Sequence, residues 1–504
     1  MIARKSSLIM ATNITDAIMA YVALFFIARY MGPRDFGIIG FAMGFVGLFT
    51  FLSNLGFDTA HIKRISEGKD LGTCIGTFLV TKLGLISLMA VTTVGAVFFW
   101  RFVMGRGFES STHELAIFII LGYFIFERLS TIFQATFKAE TKISKTHLPN
   151  FIATIARTGA IIFVAISGFG AIELAFAYVF GHIFLFITSL LLFKNYSIKR
   201  PTKECFNDYT VFAVPMIIVS SSALIIANLD KVLIQMFWSA EDVGYYFSSA
   251  RICGFIVLAG SSIGELLFPM ISNFYSKKDT RRIKEMINRS ERYISMITFP
   301  MVFGIVALAE PAVHILLSDS FNPAIPVFRI LPFYALINAL TIPYTSHLLG
   351  INKPKLVRNR ILTMVFLNLV LNIILIPKDI QSLGLTLVGL SAAGAAIATV
   401  LSYTVGYIQI RIVSWKLSKI AFDFRILLHL FSASIMGIIL YWISEYIAIQ
   451  RWYELFAIGF LGLGIYFSIL YFLKEFTPDD YNFILDTLNI KKMLNYIIKE
   501  IKRE

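Results

Sequence analysis

Charge is scarce in this sequence. Asp, Glu, Lys and Arg make up 15% of its 504 residues, where a soluble domain carries about 25%. That shortage excludes a chain covered by water on every side. Cysteine is rarer still: Cys74, Cys205 and Cys253 are an odd number without paired spacing, so neither a disulfide framework nor a zinc site is indicated. Phosphate-binding glycine loops, an HExxH motif and metal-ligand clusters are missing too. The connections are short, the largest on the expected outer side being about 101–114, and none could hold a folded catalytic domain of ~50 residues.

What fills the chain instead is apolar: 57% of the residues are hydrophobic. Apolar stretches of about twenty residues recur from end to end, the length that crosses a hydrocarbon core of ~30 Å. The pattern predicts an all-α integral membrane protein with about fourteen spans, near 8–30, 36–58, 74–100, 115–137, 149–167, 173–193, 210–236, 244–268, 293–317, 327–349, 361–377, 391–413, 426–444 and 454–473. The first follows Arg4-Lys5 but carries Asn13, Thr15 and Asp16 and lacks a clear small-residue cleavage site, so it reads as a retained span rather than a signal peptide.

The formal net charge of +14 would suggest nucleic acid in a soluble protein. Here the basic residues orient the spans and touch anionic lipid. Lys and Arg crowd alternate loops along the whole chain, while the opposite loops hold only Arg34, Arg101, Arg106, Lys378 and Arg451. That asymmetry places both termini in the cytoplasm. After the last span, Thr477-Pro478-Asp479-Asp480 reads as a helix start. Ile490, Met493, Leu494, Ile497, Ile498 and Ile501 then recur at helical spacing among lysines, which predicts an interfacial amphipathic helix. The stretch 277–292 is expected to form a similar cytoplasmic elbow helix.

An internal repeat is visible. The turn after span one contains Asp35-Phe36-Gly37, and the turn after span seven contains Asp242-Val243-Gly244, at an offset of 207 residues. Asp is expected to accept from the first amides of the new helix and Gly to provide the tight turn into it. Lys142–Lys145 and Lys353–Lys355 give a weaker echo at equivalent places. A repeat of six spans, an even number, predicts two parallel halves related by an axis along the membrane normal.

Met31-Gly32-Pro33-Arg34-Asp35-Phe36-Gly37, with Leu52-Ser53-Asn54-Leu55-Gly56-Phe57, resembles the opening of polysaccharide flippases. Asp230, Val243-Gly244-Tyr245-Tyr246 and Ala250-Arg251 resemble their second half. These flippases belong to the multidrug/oligosaccharidyl-lipid/polysaccharide exporter superfamily, and the resemblance covers about 1–420. It implies a six-helix lobe at 1–203, a second at 204–413, two extra helices at 414–473 and a cytoplasmic amphipathic tail at 474–504. It further implies a central cavity lined mainly by spans one, two, seven and eight. By alternating access that cavity would carry an isoprenoid-(pyro)phosphate-linked glycan outward. The expected cofactors are none, with H+, Na+ or the membrane potential as the drive. The expected partners are membrane lipids and glycan-assembly enzymes, and the chain is expected to act as a monomer.

Charges inside spans cost ~2.5–3.5 kcal/mol at the bilayer centre and mark functional sites by default. The mid-span cations are Lys82, Arg128, Arg157, Lys231 and Arg251; the mid-span acids are Asp16, Glu127 and Asp230. Glu127–Arg128 and Asp230–Lys231 are sequence neighbours, point ~100° apart on a helix and are not expected to pair. None of Lys231, Arg251 and Arg128 finds an opposite charge four residues away. Each therefore pairs with another helix or meets a ligand. Lys231 and Arg251 lie equally far from Glu241 in the turn, level on antiparallel neighbours, ~15 Å inward. Two level cations suit a pyrophosphate, Arg as a fork and Lys as a point charge. All five cations are candidates for the substrate phosphates, and the three acids for a coupling ion or counter-ion. No catalytic group is assigned.

Pro215, Pro300, Pro332 and Pro343 fall inside spans, where kinks are expected. His182, His314 and His347 read as hydrogen-bonded structural residues, and 391–396 as a small-residue packing seam. A drug or cation exporter of the same superfamily would show an acid-dominated cavity, which the basic excess opposes. A polysaccharide polymerase or ligase would need a large outer loop.

Overall fold

The computed structural model describes residues 2–103, 107–140, 142–380 and 384–477; the expected tail helix lies outside them. Two compact units are found. Among the described residues, the first holds those up to Gln235 and the turn Ser239–Gly244, and the second holds Met236–Trp238 and 245–477. The helix that opens the second repeat half in sequence thus clusters mostly with the first unit.

The first unit contains α1 (Ile2–Tyr30), α2 (Gly32–Gly47), α3 (Phe57–Ser66), α4 (Leu71–Phe98), α5 (Ser111–Ala139), α6 (Ile143–Ile166), α7 (Ala171–Phe193) and most of α8 (Lys203–Phe237). The second contains most of α9 (Ala240–Ser276), then α10 (Thr280–Ala307), α11 (Ala309–Leu316), α12 (Ile325–Gly350), α13 (Pro354–Leu375), α14 (Ser391–Ser418), α15 (Arg425–Tyr446) and α16 (Trp452–Phe472). A two-residue-per-strand hairpin, β1 (Asp379–Ile380) with β2 (Leu385–Thr386), joins α13 to α14. The protein is an all-α, multi-span membrane protein. A helix or a bent pair underlies each of the fourteen apolar windows. Among the described residues nine helices are long and apolar enough to cross a membrane, and two bent pairs bring that to eleven.

The sharp bends do not fall at the prolines expected to kink the spans. Helix α2 is bent by 52° from the segment Thr50–Ser66 that follows it, the break falling between Gly47 and Thr50; inside that segment Leu55 and Gly56 adopt positive φ of 45° and 86° just before α3. Helices α10 and α11 are bent by 77°, and here Pro311 is responsible: it has no N–H, and its ring would clash with the Ala307 carbonyl. Pro300, Pro332 and Pro343 are carried inside α10 and α12. The expected elbow helix is also corrected. Asp279 caps α10 by accepting from the Arg282 amide at 3.1 Å, and no breaker separates the basic stretch from the apolar one, so a single helix runs from Thr280 to Ala307.

Within the first unit α6 packs along α7 and α1, and α7 along α5. Within the second, α14 lies against α12 and α13; a Cβ at Gly394 would come within 2.6 Å of the Leu375 carbonyl, so the seam at 391–396 does bring backbones together. Two buried carboxylates hold the second unit at the ends of its helices. Glu291 accepts from Tyr344 at 2.6 Å and Tyr407 at 2.7 Å and pairs with Arg411, which turns inward. Glu475, just after α16, accepts from Arg292 Nε at 2.5 Å and lies 3.3 Å from His429 Nε2. Burial raises the Glu475 pKa, but hydrogen bonds from His429 and Arg292 outweigh it and hold the group below the usual carboxylate range.

Candidate functional site

The site begins at the two repeated turns. Gly32, at φ 80°, lets the chain reverse after α1, and Pro33 sits in the first turn of α2. At the other turn, Asp242 Oδ2 accepts from Ser239 Oγ at 2.7 Å, and the Asp242 amide reaches back toward Ser239 Oγ at 3.4 Å, a reciprocal cap. Asp242 takes part in the cap, but the oxygen that accepts the helix amide is that of Ser239. Asp35 makes no such cap: the start of α2 has no side-chain cap, and Asp35 faces the backbone amide of Ala171.

The glycines of the repeat serve close approach, not tight turning. Neither has positive φ. A Cβ on Gly37 would overlap the Ala240 carbonyl and come within 2.9 Å of the Gly244 amide nitrogen, and a Cβ on Gly244 would overlap the Pro33 carbonyl. Pro33 and Ala240 occupy equivalent places in the repeat, as do Gly37 and Gly244. The two turns thus meet in a self-complementary contact, the geometry that two-fold-related surfaces make.

The same stripe of α2 continues to Gly44 and Gly47, and α8 lies on it. A Cβ at Gly44 would meet Lys231 Cβ at 2.9 Å, and one at Gly47 would meet the Asn228 amide at 2.7 Å. Lys231 is 9% exposed and donates to Asn228 Oδ1 at 2.8 Å, one turn back on its own helix. Looking only four residues away missed this neighbour. Asp230 beside it is buried at 2% exposure. Small residues seven and ten positions after Gly37 face one way on a helix, so the stripe was readable in the sequence as a close-packing face.

One turn beyond Lys231, Gln235 Nε2 donates to Glu109 Oε2 at 2.8 Å, and the Ala240 amide donates to the same oxygen at 3.0 Å. Arg34 reaches the other oxygen at 3.5 Å. Glu109 lies in the loop before α5, and nothing in the sequence pattern marked it.

The other candidates are placed as follows. Lys82 is fully buried, ion-paired to Asp58 at 2.8 Å and donating to the Ser53 carbonyl at 2.8 Å. It satisfies a carbonyl left open where α2 breaks before α3, as a break at membrane depth requires. Asp58 was missed because it closes the window read as span two, 36–58, whereas it stands at the start of the separate helix α3. Arg128 Nε lies 3.7 Å from Glu127 Oε2: adjacent residues pair after all, since long side chains can bend toward each other even when their Cβ directions diverge. Arg157 is half-buried under α7, where a Cβ on Gly181 would overlap its own Cβ. Asp16 in α1 is half-buried, its Oδ1 without a hydrogen-bond partner among the described residues. Arg251 is exposed with its guanidinium 4.9 Å from the Phe247 ring. Lys231 belongs to the first unit and Arg251 to the second. Among the described residues no group of three or more His, Cys, Asp or Glu is arranged to hold a metal.

The Lys82–Asp58 pair makes a structural prediction. Removing one member strands a buried charge, at ~3–5 kcal/mol. Lys82→Met should lower the thermal midpoint of the purified protein steeply, and adding Asp58→Asn should recover most of the loss. A single variant as stable as the parent would show that Lys82 is not held this way.

The polysaccharide biosynthesis protein profile matches residues 26–326. The probable low-salt glycan biosynthesis flippase Agl15 of Haloferax volcanii is 24% identical over 469 residues, covering 93% of this chain and 95% of its own. Among solved structures, the lipid II flippase MurJ in an inward closed conformation superimposes with a TM-score of 0.72 at 17% identity, over 92% of this chain and 98% of that one. An inward-facing multidrug resistance transporter of the MATE family and MOP superfamily gives 0.65 at 16% identity, over 81% and 96%.

Proposed function

The chain belongs to the polysaccharide biosynthesis protein family, and on that premise we propose that it is a flippase. It moves lipid-linked oligosaccharide or polysaccharide precursors from the cytoplasmic to the outer leaflet by alternating access. Similarity along nearly the whole length of a glycan biosynthesis flippase supports this. The observation that carries the reading is Lys231, a cation nine-tenths buried and hydrogen-bonded to a neutral amide on the face of α8 that packs against the glycines of α2. An ammonium in such a place answers a ligand that is anionic and must cross the same layer. The phosphates of an isoprenoid-(pyro)phosphate-linked glycan fit, because the head group must exchange water for fixed positive charge while its tail stays in lipid.

In this reading Lys231 and Arg251 bind the phosphates, Arg128 and Arg157 are secondary, Lys82 stays in its buried ion pair with Asp58, and Asp16, Asp230 and Glu127 restrain binding or carry a coupling ion. Transport is driven by H+, Na+ or the membrane potential. The protein is a transporter and not an enzyme, spans the cell membrane fourteen times with both termini in the cytoplasm, works as a monomer, and receives substrate from glycan-assembly enzymes. Complementation tests it. The parent chain should restore surface glycan to a flippase-null strain, and Lys231→Met and Arg251→Gln should not. Drug resistance without glycan delivery would instead make it a drug exporter.

A further inference from the structure

Glu109 lies outside every helix, yet it is the residue that ties the end of α8 to the start of α9. One oxygen, Oε2, accepts from the Gln235 side chain at 2.8 Å and from the Ala240 amide at 3.0 Å. Ala240 is the first residue of α9, so its amide is one of the donors that a helix cannot satisfy internally, and a carboxylate there also meets the positive end of the helix dipole. His113, fully buried, stands 3.6 Å from the same oxygen and is itself oriented by Ser110 at 2.9 Å. Arg34 completes the ring at 3.5 Å from Oε1. The acceptor is thus supplied from the loop before α5 to two elements more than a hundred residues away in sequence.

Gln235 is one helical turn from Lys231, on the same side of α8. Its Nε2 is held by Glu109, and its side chain also faces the buried His113 beside that carboxylate, so the Glu109 cluster fixes its amide. We infer that Glu109 is a positioning residue for the anion site at Lys231: by clamping Gln235 and Ala240 it sets the rotation and depth of the last turns of α8, and with them where the Lys231 ammonium points. The inference rests on the phosphate-binding reading of Lys231. It also has a sign that separates it from simple charge. Glu109 is negative, so if it acted on an anion only through its field, removing it would tighten binding. As a positioning residue, its removal weakens binding.

The test is the affinity of the purified full chain for farnesyl diphosphate in phosphatidylcholine nanodiscs. Glu109→Ala should bind about fivefold more weakly, the effect of one positioned hydrogen bond of ~1 kcal/mol at 1.4 kcal/mol per tenfold. Glu109→Gln keeps an acceptor for Gln235 and Ala240 while losing the charge, and should bind at least as tightly as the parent. Gln235→Leu should reproduce the fivefold loss, and combining it with Glu109→Ala should add nothing, the signature of one shared interaction. Arg34→Ala should leave affinity unchanged. Parental or tighter binding by Glu109→Ala, or equal losses in Glu109→Ala and Glu109→Gln, would overturn the inference. If Lys231→Met binds the probe as the parent does, the phosphate-site reading itself fails, whatever Glu109 does.

Discussion

Gly37→Ala is expected to cut glycan delivery to the outer face by about five- to a hundredfold. The added methyl would overlap the Ala240 carbonyl and crowd the Gly244 amide. Both obstacles are backbone, which cannot swing aside as a side-chain tip can, so the two turns must move apart. Overpacking of this kind costs ~1–3 kcal/mol, and each 1.4 kcal/mol is tenfold in an equilibrium. Gly244→Ala, which would overlap the Pro33 carbonyl, should behave alike. Because either methyl alone already separates the contact, the double variant should be little worse than each single one. Surface glycan in a complemented flippase-null strain, normalised to protein in the membrane, measures the effect. Full delivery by Gly37→Ala would show that the contact between the repeated turns is dispensable.

Lys231→Met carries the second large effect. Methionine nearly matches the lysine stem in length and keeps its packing on Gly44, but it removes the ammionium-type donor that now reaches Asn228. A hydrogen bond to a charged group contributes ~1.5–3 kcal/mol, so delivery should fall about ten- to a hundredfold at an unchanged protein level. A parental rate would exclude Lys231 from the phosphate site. Loss of the protein from the membrane would instead make Lys231 a structural cation, as Lys82 is with Asp58.

Periodicity made the spans legible because most apolar runs, nine helices among the described residues, are long and apolar enough to cross by themselves. The bends were less legible. The one at Leu308 needed Pro311 to be read as a helix breaker, and the one between Gly47 and Thr50 has no proline to mark it. The repeat was visible as Asp35/Gly37 and Asp242/Gly244, but the physical use of its glycines was not: a turn and a backbone-to-backbone contact both call for glycine, and only the partner's position separates them. Lys231 was found because charge at membrane depth is conspicuous. Asn228, which it contacts, and Gln235 and Glu109, one turn further along α8, are uncharged or in a loop and carry no such signal. Asp58 escaped for a related reason, since an acid at the last position of an apolar window looks solvated.

Reconstitution tests the central claim most directly. Purified protein in liposomes that carry a fluorescent isoprenoid-diphosphate sugar in both leaflets should make the inner-leaflet pool accessible to an impermeant quencher added outside, faster than in protein-free liposomes, and Lys231→Met should abolish the difference. If the inner pool stays as protected with the parent protein as without it, under an imposed H+ gradient, Na+ gradient and membrane potential in turn, the chain is not a flippase for lipid-linked glycans.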